Sequence, residues 1–505
     1  MVISIHRLAR CSIRIILGPR ILREPAAWAR QQAIYMPTSD SEDDTPASSN
    51  QTEGTKILLA DPKTAILRLS LPMMIAMTLM TLYNVVDAFW VAGLGADALA
   101  AVGFAFPLFI ITIGLASGLG TGGEAALART IGAHDRAGAS SVAMHTLLLM
   151  TVLAVVVTIP LFFFAQDIFV LMGAGDAVGL ATEYARILFM GTFALLFGEV
   201  AYALMHGEGD AKRTMYAMAA GAVANIILDP ILIYGLDMGI AGAAWATILA
   251  EVIAGVPMAY WLFVKRDTYI SLRLREFCPD VGVVRNVLQV GFPAAAEQMA
   301  LALMALILNG VIVLIASTDG VAVYSVGWRV VSIGLTPILA ISSAVVAVTG
   351  ATYGARAYAR METALRFAAR LGLGIGIGLA VATFVFAPRI AALFTVGDAA
   401  GIAPELTTYL RVMSLVYPMV GFGLFSASFF QGTGLGARSL TITVLQNIVL
   451  SILFAWMFAA GLGLGLPGIW WGVAAGNAIG AALGYAWARR YSAGLQIRPA
   501  GATAA

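Results

Sequence analysis

Apolar runs of bilayer length follow one another along this chain from Ile66 almost to its end, separated by short polar turns. A helix needs roughly 20 apolar residues to cross a hydrocarbon core. Backbone in lipid must satisfy its own polar groups, so such runs fold as helices. Hydropathy gives about twelve candidate spans, at 66–92, 98–127, 141–165, 181–206, 212–235, 240–264, 284–316, 321–352, 365–387, 404–430, 438–461 and 467–488. Only 11% of the residues are charged, against about 25% in a soluble domain. The expected fold class is therefore an all-α polytopic membrane protein.

Charge in the connections alternates. Even-numbered loops and the C-terminus carry Arg129 and Arg136, Lys212 and Arg213, Lys265, Arg266, Arg273 and Arg275, Arg356 and Arg360, Arg438, and Arg489 and Arg490. Odd-numbered loops carry mainly acids: Asp97, Asp167, Asp176, Asp237, Asp319 and Asp398, with Arg389 the exception. The positive-inside rule then puts both termini in the cytoplasm of a cell-membrane protein.

The longest polar connection, Lys265 to Asp280, alternates apolar and basic residues and reads as an interfacial segment. It divides the spans into two groups of six: a first lobe at 66–265, a linker at 266–283, a second lobe at 284–490 and a tail at 491–505. The halves resemble each other. Leu71–Met74 answers Phe292–Ala295, Ile131–Asp135 answers Tyr353–Ala357, His206–Gly209 answers Gln431–Gly434, and Ala241–Trp245 answers Pro467–Trp471. An even number of spans per half makes this a parallel repeat, with a pseudo-two-fold axis along the membrane normal.

Residues 1–65 differ. The first 35 are arginine-rich, and Ser39 to Gly54 is acidic and polar, which reads as a disordered extension. A basic surface helix, a transit-like peptide and an upstream start with Met36 as the true one compete for the first part, and the last is favoured. The two cysteines, Cys11 and Cys278, give no metal or disulfide pattern, and the four histidines are scattered. SGLGTGG at Ser117–Gly123 lies in a span and not after a strand, so it is read as helix packing rather than a nucleotide loop.

Six ionisable residues stand out within the spans: Asp87, Glu199, Asp229, Glu251, Glu297 and Arg329. Between Met215 and Leu236, Asp229 is the only charge. Asn225 lies one turn earlier on the same face, and Pro230 removes a backbone donor beside the acid. Charge at bilayer depth costs a few kcal/mol, so such residues face a cavity, find a partner or carry a proton. Asp87 has no neighbouring countercharge. Asp87 and Asp229 could carry protons, or bind Na⁺ with Asn225 and a hydroxyl adding neutral oxygens. Thr247 could supply that hydroxyl, and Glu251, one turn later, could be a further proton carrier. The neighbours of Glu199 suggest helix packing. Glu297 and Arg329 read as a structural ion pair, and His206 as an interfacial cap.

These residues resemble the multidrug and toxic compound extrusion (MATE) family over roughly 66–490. Pro72 and Asp87 match the family's early proline and functional acid in span 1. Spans 5 and 6 carry its Gly-x-x-Lys entry, its Asn-x-x-x-Asp-Pro core at Asn225–Pro230, and its Gly-x-x-Gly-Ala-x-x-Ala-Thr element ending at Thr247. Tyr353–Arg356 and Arg329 look like the DinF-like and archaeal branch. The resemblance implies two lobes in a V that rock to alternate access. It also implies a cation site in the first lobe at Asp87, Asn225, Asp229 and Thr247, with Tyr184 matching a tyrosine of that lobe. Another branch uses an acid where Leu301 stands here; Glu297 is one turn earlier, and that role does not transfer. Relatives more often have glutamine where this chain has Glu251.

The function expected is a monomeric, non-enzymatic antiporter. Inward H⁺ or Na⁺, with no other cofactor, would drive export of amphipathic, often cationic organic compounds. Lipid is the expected surround and nucleic acid is not a partner. A flippase of the same superfamily for lipid-linked precursors is the alternative, but it needs cationic residues in the cavity. A membrane-embedded enzyme is remote, since clustered His/Asp or Ser/His sites are missing from the sequence.

Overall fold

The computed structural model describes residues 52–265, 267–273, 277–315, 318–395 and 401–497. The basic stretch at 1–35, the acidic one up to residue 51, Arg266, Arg275, Asp398 and Cys11 lie outside them. Every regular element among the described residues is helical. In chain order these are α1 (Glu53–Leu59), α2 (Pro62–Ala92), α3 (Ala96–Gly132), α4 (Arg136–Phe163), α5 (Ala165–Leu171), α6 (Val178–Met190), α7 (Thr192–Gly207), α8 (Ala211–Pro230) and α9 (Gly239–Ala259). The second half holds α10 (Val281–Ile315), α11 (Thr318–Gly354), α12 (Tyr358–Phe394), α13 (Ala403–Ser414), α14 (Tyr417–Gly432), α15 (Gly436–Thr443), α16 (Ser451–Trp456) and α17 (Gly465–Ile497).

Among the described residues nine helices, some running through π-turns, are long and apolar enough to cross a membrane, and two bent pairs raise the number to eleven. The bent pairs join α6 to α7 at 50° and α13 to α14 at 53°. Hydropathy alone read each pair as one straight span. The twelfth expected span lies in α17, whose 33 residues are long enough, but its glycine- and alanine-rich sequence falls short in hydropathy.

Several helix starts in the first half are encoded locally. Asp61 caps α2 by accepting from the Lys63 N–H at 3.2 Å, with Pro62 at the first helical position. Asp135 accepts from Gly138 N–H at 2.8 Å and Asp210 from Arg213 N–H at 3.2 Å. The proline of the NIILDP motif has the expected effect. After Pro230 the helix loosens into a π-turn, Ile231–Gly235, where the missing donor breaks the regular ladder.

The two halves meet along α3, which crosses α10 and α11. A Cβ on Gly118 would lie 2.5 Å from Ala295 N, and one on Gly122 would lie 2.4 Å from Val287 O. On Gly132 it would lie 1.9 Å from Ala351 O. Only glycine permits this backbone approach. Arg129 reinforces it by donating to Gly432 O at 3.0 Å and to Asn286 Oδ1 at 2.8 Å. All these contacts lie at the end that carries the arginine-rich turns. Toward the other end of the same helices, Gly103 and Gly310 face open space, and Phe106 and Leu306 are exposed.

Two segments fasten that closed end. Residues 52–65, expected to be disordered, contain α1 and the start of α2. Arg360 of α12 donates to Leu59 O at 2.9 Å and also to Ala60 O. Gly209, at φ +94°, brings its Cα against Gly54 O, where a Cβ would lie 2.3 Å away. The linker after α9, read as interfacial, instead buries Thr268, Tyr269, Ile270 and Leu272 against the protein. Its apolar residues have helix ends to cover, so they pack there rather than on lipid. Arg136 donates to Tyr269 O at 2.8 Å, and Ser140 accepts from the Ser271 N–H at 2.9 Å.

Candidate functional site

α2 and α8 pack along each other in the first half, and α9 packs on α8. α2 carries Asp87, α8 carries Asn225 and Asp229, and α9 carries Thr247 and Glu251. Asp229 is 0% exposed and Asn225 1%. The Asp87 carboxyl interacts directly with that of Asp229, and both act on the buried Tyr184 hydroxyl from α6. The structure therefore brings Asp87, Asp229 and Tyr184 together.

Asp229 stands out by what it lacks. Neither of its oxygens and neither side-chain atom of Asn225 has a hydrogen-bond partner of good geometry among the described residues. Buried polar groups are nearly always paired, so these four atoms on adjacent turns are placed to take a proton or a small polar ligand. Their oxygens are hard donors of the kind Na⁺ prefers. Thr247 donates to Ala243 O at 3.1 Å, which leaves its oxygen lone pairs free to accept. Thr247 and Asn225 line one tight cavity, together with Tyr83, Tyr202 and Glu251.

Glu251 has a second acid near it. It interacts electrostatically with Glu199 of α7, and both carboxylates act on the hydroxyls of Tyr83 and Tyr202. A Cβ on Gly198 would lie 3.1 Å from Glu251 Oε2, so the small residue beside Glu199 makes room for the second acid. Sequence reading took that glycine as a sign of mere helix packing. Among the described residues neither glutamate has a hydrogen bond or an ion pair. Two acid pairs thus face the interior of the first half.

The second half is arranged differently. Glu297 of α10 is buried, but Arg329 is not its partner. Ser439 donates to its Oε1 at 2.6 Å and Gln431 to its Oε2 at 3.2 Å. Arg329 is exposed on α11. The expected ion pair is absent because neutral donors from α14 and α15 already satisfy the carboxylate.

His206 is no interfacial cap either. It is 2% exposed, and its Nδ1 lies 2.9 Å from Glu124 Oε1 of α3 and 3.3 Å from Ser343 Oγ of α11. Glu124 was missed, although it sits in span 2. The glycine run before it drew the reading toward packing alone.

Just beyond α7, Glu208 holds the fastened end. The Tyr269 N–H and the Thr52 hydroxyl donate to it, the latter at 3.4 Å. Burial pushes its carboxyl up to about 7. Nearby, burial would also raise Asp267, but hydrogen bonds from Lys265 and Arg213 outweigh it and hold the acid below its usual range.

A helical membrane bundle with polar and acidic side chains buried in its interior has the plan of a class, the membrane transporters. Comparison narrows the class to a family. The MatE family model matches residues 72–231 and again 293–457, so it recognises both halves. The chain belongs to the MatE family, the multidrug and toxic compound extrusion transporters, and is a multi-pass membrane transporter rather than an enzyme. It is 26% identical over 412 residues to the multidrug export protein MepA of Staphylococcus saprophyticus, across 80% of this chain and 89% of that protein. It is 42% identical to a solved MOP superfamily transporter of Pyrococcus furiosus, with a TM-score of 0.86, across 89% of this chain and all of the other. The reverse polarity of that protein's binding pocket is described as suggesting a different function. A structure described as the outward-facing conformation of a multidrug resistance MATE family transporter matches with the same identity, coverage and TM-score.

Proposed function

We propose that this protein exports small amphipathic, often cationic organic compounds across the cell membrane in exchange for H⁺ or Na⁺. The observation that carries the coupling site is Asp229, fully buried and unpaired beside an equally unpaired Asn225, with Asp87 in interaction range. The names of its relatives, multidrug export proteins and a multidrug resistance transporter, support the substrate class. Its likeness to the Pyrococcus furiosus transporter supports the archaeal side of the branch reading.

In this reading 66–265 and 284–490 are two lobes, pressed together at the arginine-rich, cytoplasmic end and parted at the other. Two carboxylates this close repel when both are ionised, and a bound proton or Na⁺ relieves that repulsion. A ligand shifts a conformational equilibrium only through different affinities for the two states. Cation binding at Asp87, Asn225, Asp229 and Thr247 therefore favours the arrangement of α2 and α8 in which the acids are neutralised, and substrate favours the other. Tyr184 and the Glu199/Glu251 pair extend the same polar interior, with Glu251 a further proton carrier. The π-turn after Pro230 gives α8 a place to bend.

The test is efflux from proteoliposomes under a pH gradient and a Na⁺ gradient imposed separately. Efflux that follows one gradient identifies the coupling ion. Efflux insensitive to both contradicts the reading.

A further inference from the structure

A large cavity lies away from these acids, in the second half. It is a groove of about 730 Å³ between the first turns of α12, the first turns of α14 and the second half of α17. Arg366 lines it from α12, and Arg489 and Arg490 from α17; Arg370 lines a smaller cavity of about 200 Å³ that shares Arg366, Leu373, Phe422, Tyr485 and Arg489 with it. One carboxylate faces these four guanidinium groups. Glu362 meets Arg366 at 2.5 Å and Arg489 at 3.8 Å. Arg370 and Arg490 have no carboxylate or hydrogen-bond partner among the described residues.

The charge sits at one level. Moving inward along α12 the lining passes from Arg370 to Leu373, and along α17 from Arg489 to Tyr485 and then Ala482 and Ala481. Met419 and Phe422 of α14 complete the apolar wall. A cationic rim over an apolar floor in a membrane-spanning bundle has the polarity profile of one phospholipid. Arginine binds phosphate through paired donors, and a basic pocket between spanning helices suits an anionic headgroup. A free phosphate would use the rim and leave the apolar wall uncovered.

We propose that this groove and the smaller cavity beside it form a binding site for an anionic phospholipid, with the phosphate at the arginine rim that Arg370 and Arg490 flank and an acyl chain along Leu373, Met419 and Phe422. The site is separate from the coupling acids and does not depend on which ion or substrate the transporter uses.

Native mass spectrometry of the full-length protein tests it. The detergent-purified protein is incubated with dioleoyl phosphatidylglycerol or with dioleoyl phosphatidylcholine, each with or without inorganic phosphate. The expected result is preferential retention of the glycerol lipid by about tenfold, lost in the double variant Arg370→Gln/Arg490→Gln and reduced but not lost in Arg370→Lys/Arg490→Lys, since lysine keeps the cationic charge near the headgroup but not the paired donors. Inorganic phosphate leaves the bound lipid in place. Equal retention of the two lipids, unchanged retention in the glutamine variant, or displacement by phosphate alone each overturns the proposal.

Discussion

His206 and Glu124 meet at 2.9 Å inside the protein, where Ser343 from the second half completes the contact. The three residues come from α7, α3 and α11, so the pair ties the first half together at its seam with the second. Removing one partner leaves the other buried and unpaired, a cost of about 1–3 kcal/mol. Glu124→Ala is therefore expected to lower the unfolding temperature in detergent clearly more than Ser343→Ala, which removes the longer contact. Equal effects from the two would place the energy elsewhere.

The glycines of α3 provide a second check on the seam. Gly122→Ala drives a methyl group into Val287 O, where backbone cannot yield cheaply. Overpacking of this kind costs about 1–3 kcal/mol. Transport by Gly122→Ala is expected to fall severalfold, while Gly103→Ala, which points into open space, leaves it unchanged. The paired comparison separates closure of this end from a general intolerance of added bulk.

Glu199 and Glu251 interact electrostatically in the interior of the first half, so their effects should not add. Each single change to glutamine is expected to reduce pH-driven efflux severalfold without abolishing it. The double variant should be no worse than the more severe single one, the signature of residues that act as a unit. Additive losses in the full cycle would separate the two acids.

Glu208 predicts a pH dependence of stability. Its folded-state carboxyl, raised by burial to about 7, lies above its ordinary value of 4.5. A raised acid favours the protonated fold, so its stabilising contribution is complete below pH 4.5 and is lost as pH rises through 7. The difference corresponds to on the order of 3 kcal/mol. Glu208→Gln keeps an acceptor for Tyr269 and Thr52 but does not titrate. Melting curves in detergent between pH 5 and 8 should fall with rising pH in the native protein and flatten in the variant.

Most of the architecture was legible in the sequence because lipid leaves a chain few options. Length and hydropathy placed the helices, and Pro230 announced a distortion that became the π-turn at Ile231–Gly235. The motif around Asn225 and Asp229 named residues that proved buried and unpaired. What escaped was partnership between distant helices. Glu297 gave no sign that Ser439 and Gln431, more than a hundred positions away, would satisfy it. Glu199 looked like a packing position because Gly198 sits beside it, yet that glycine leaves space for Glu251. The bends between α6 and α7 and between α13 and α14 were hidden because hydropathy records how apolar a run is and not its direction.

The central claim is that coupling runs through Asp87 and Asp229, and the most direct measurement is gradient-driven efflux from proteoliposomes holding Asp87→Asn or Asp229→Asn. Asparagine keeps the shape of each side chain while removing the charge that a proton or Na⁺ would neutralise. The account predicts folded protein and, in both variants, loss of efflux under whichever gradient drives the native protein. Efflux at the native rate from both variants would contradict it.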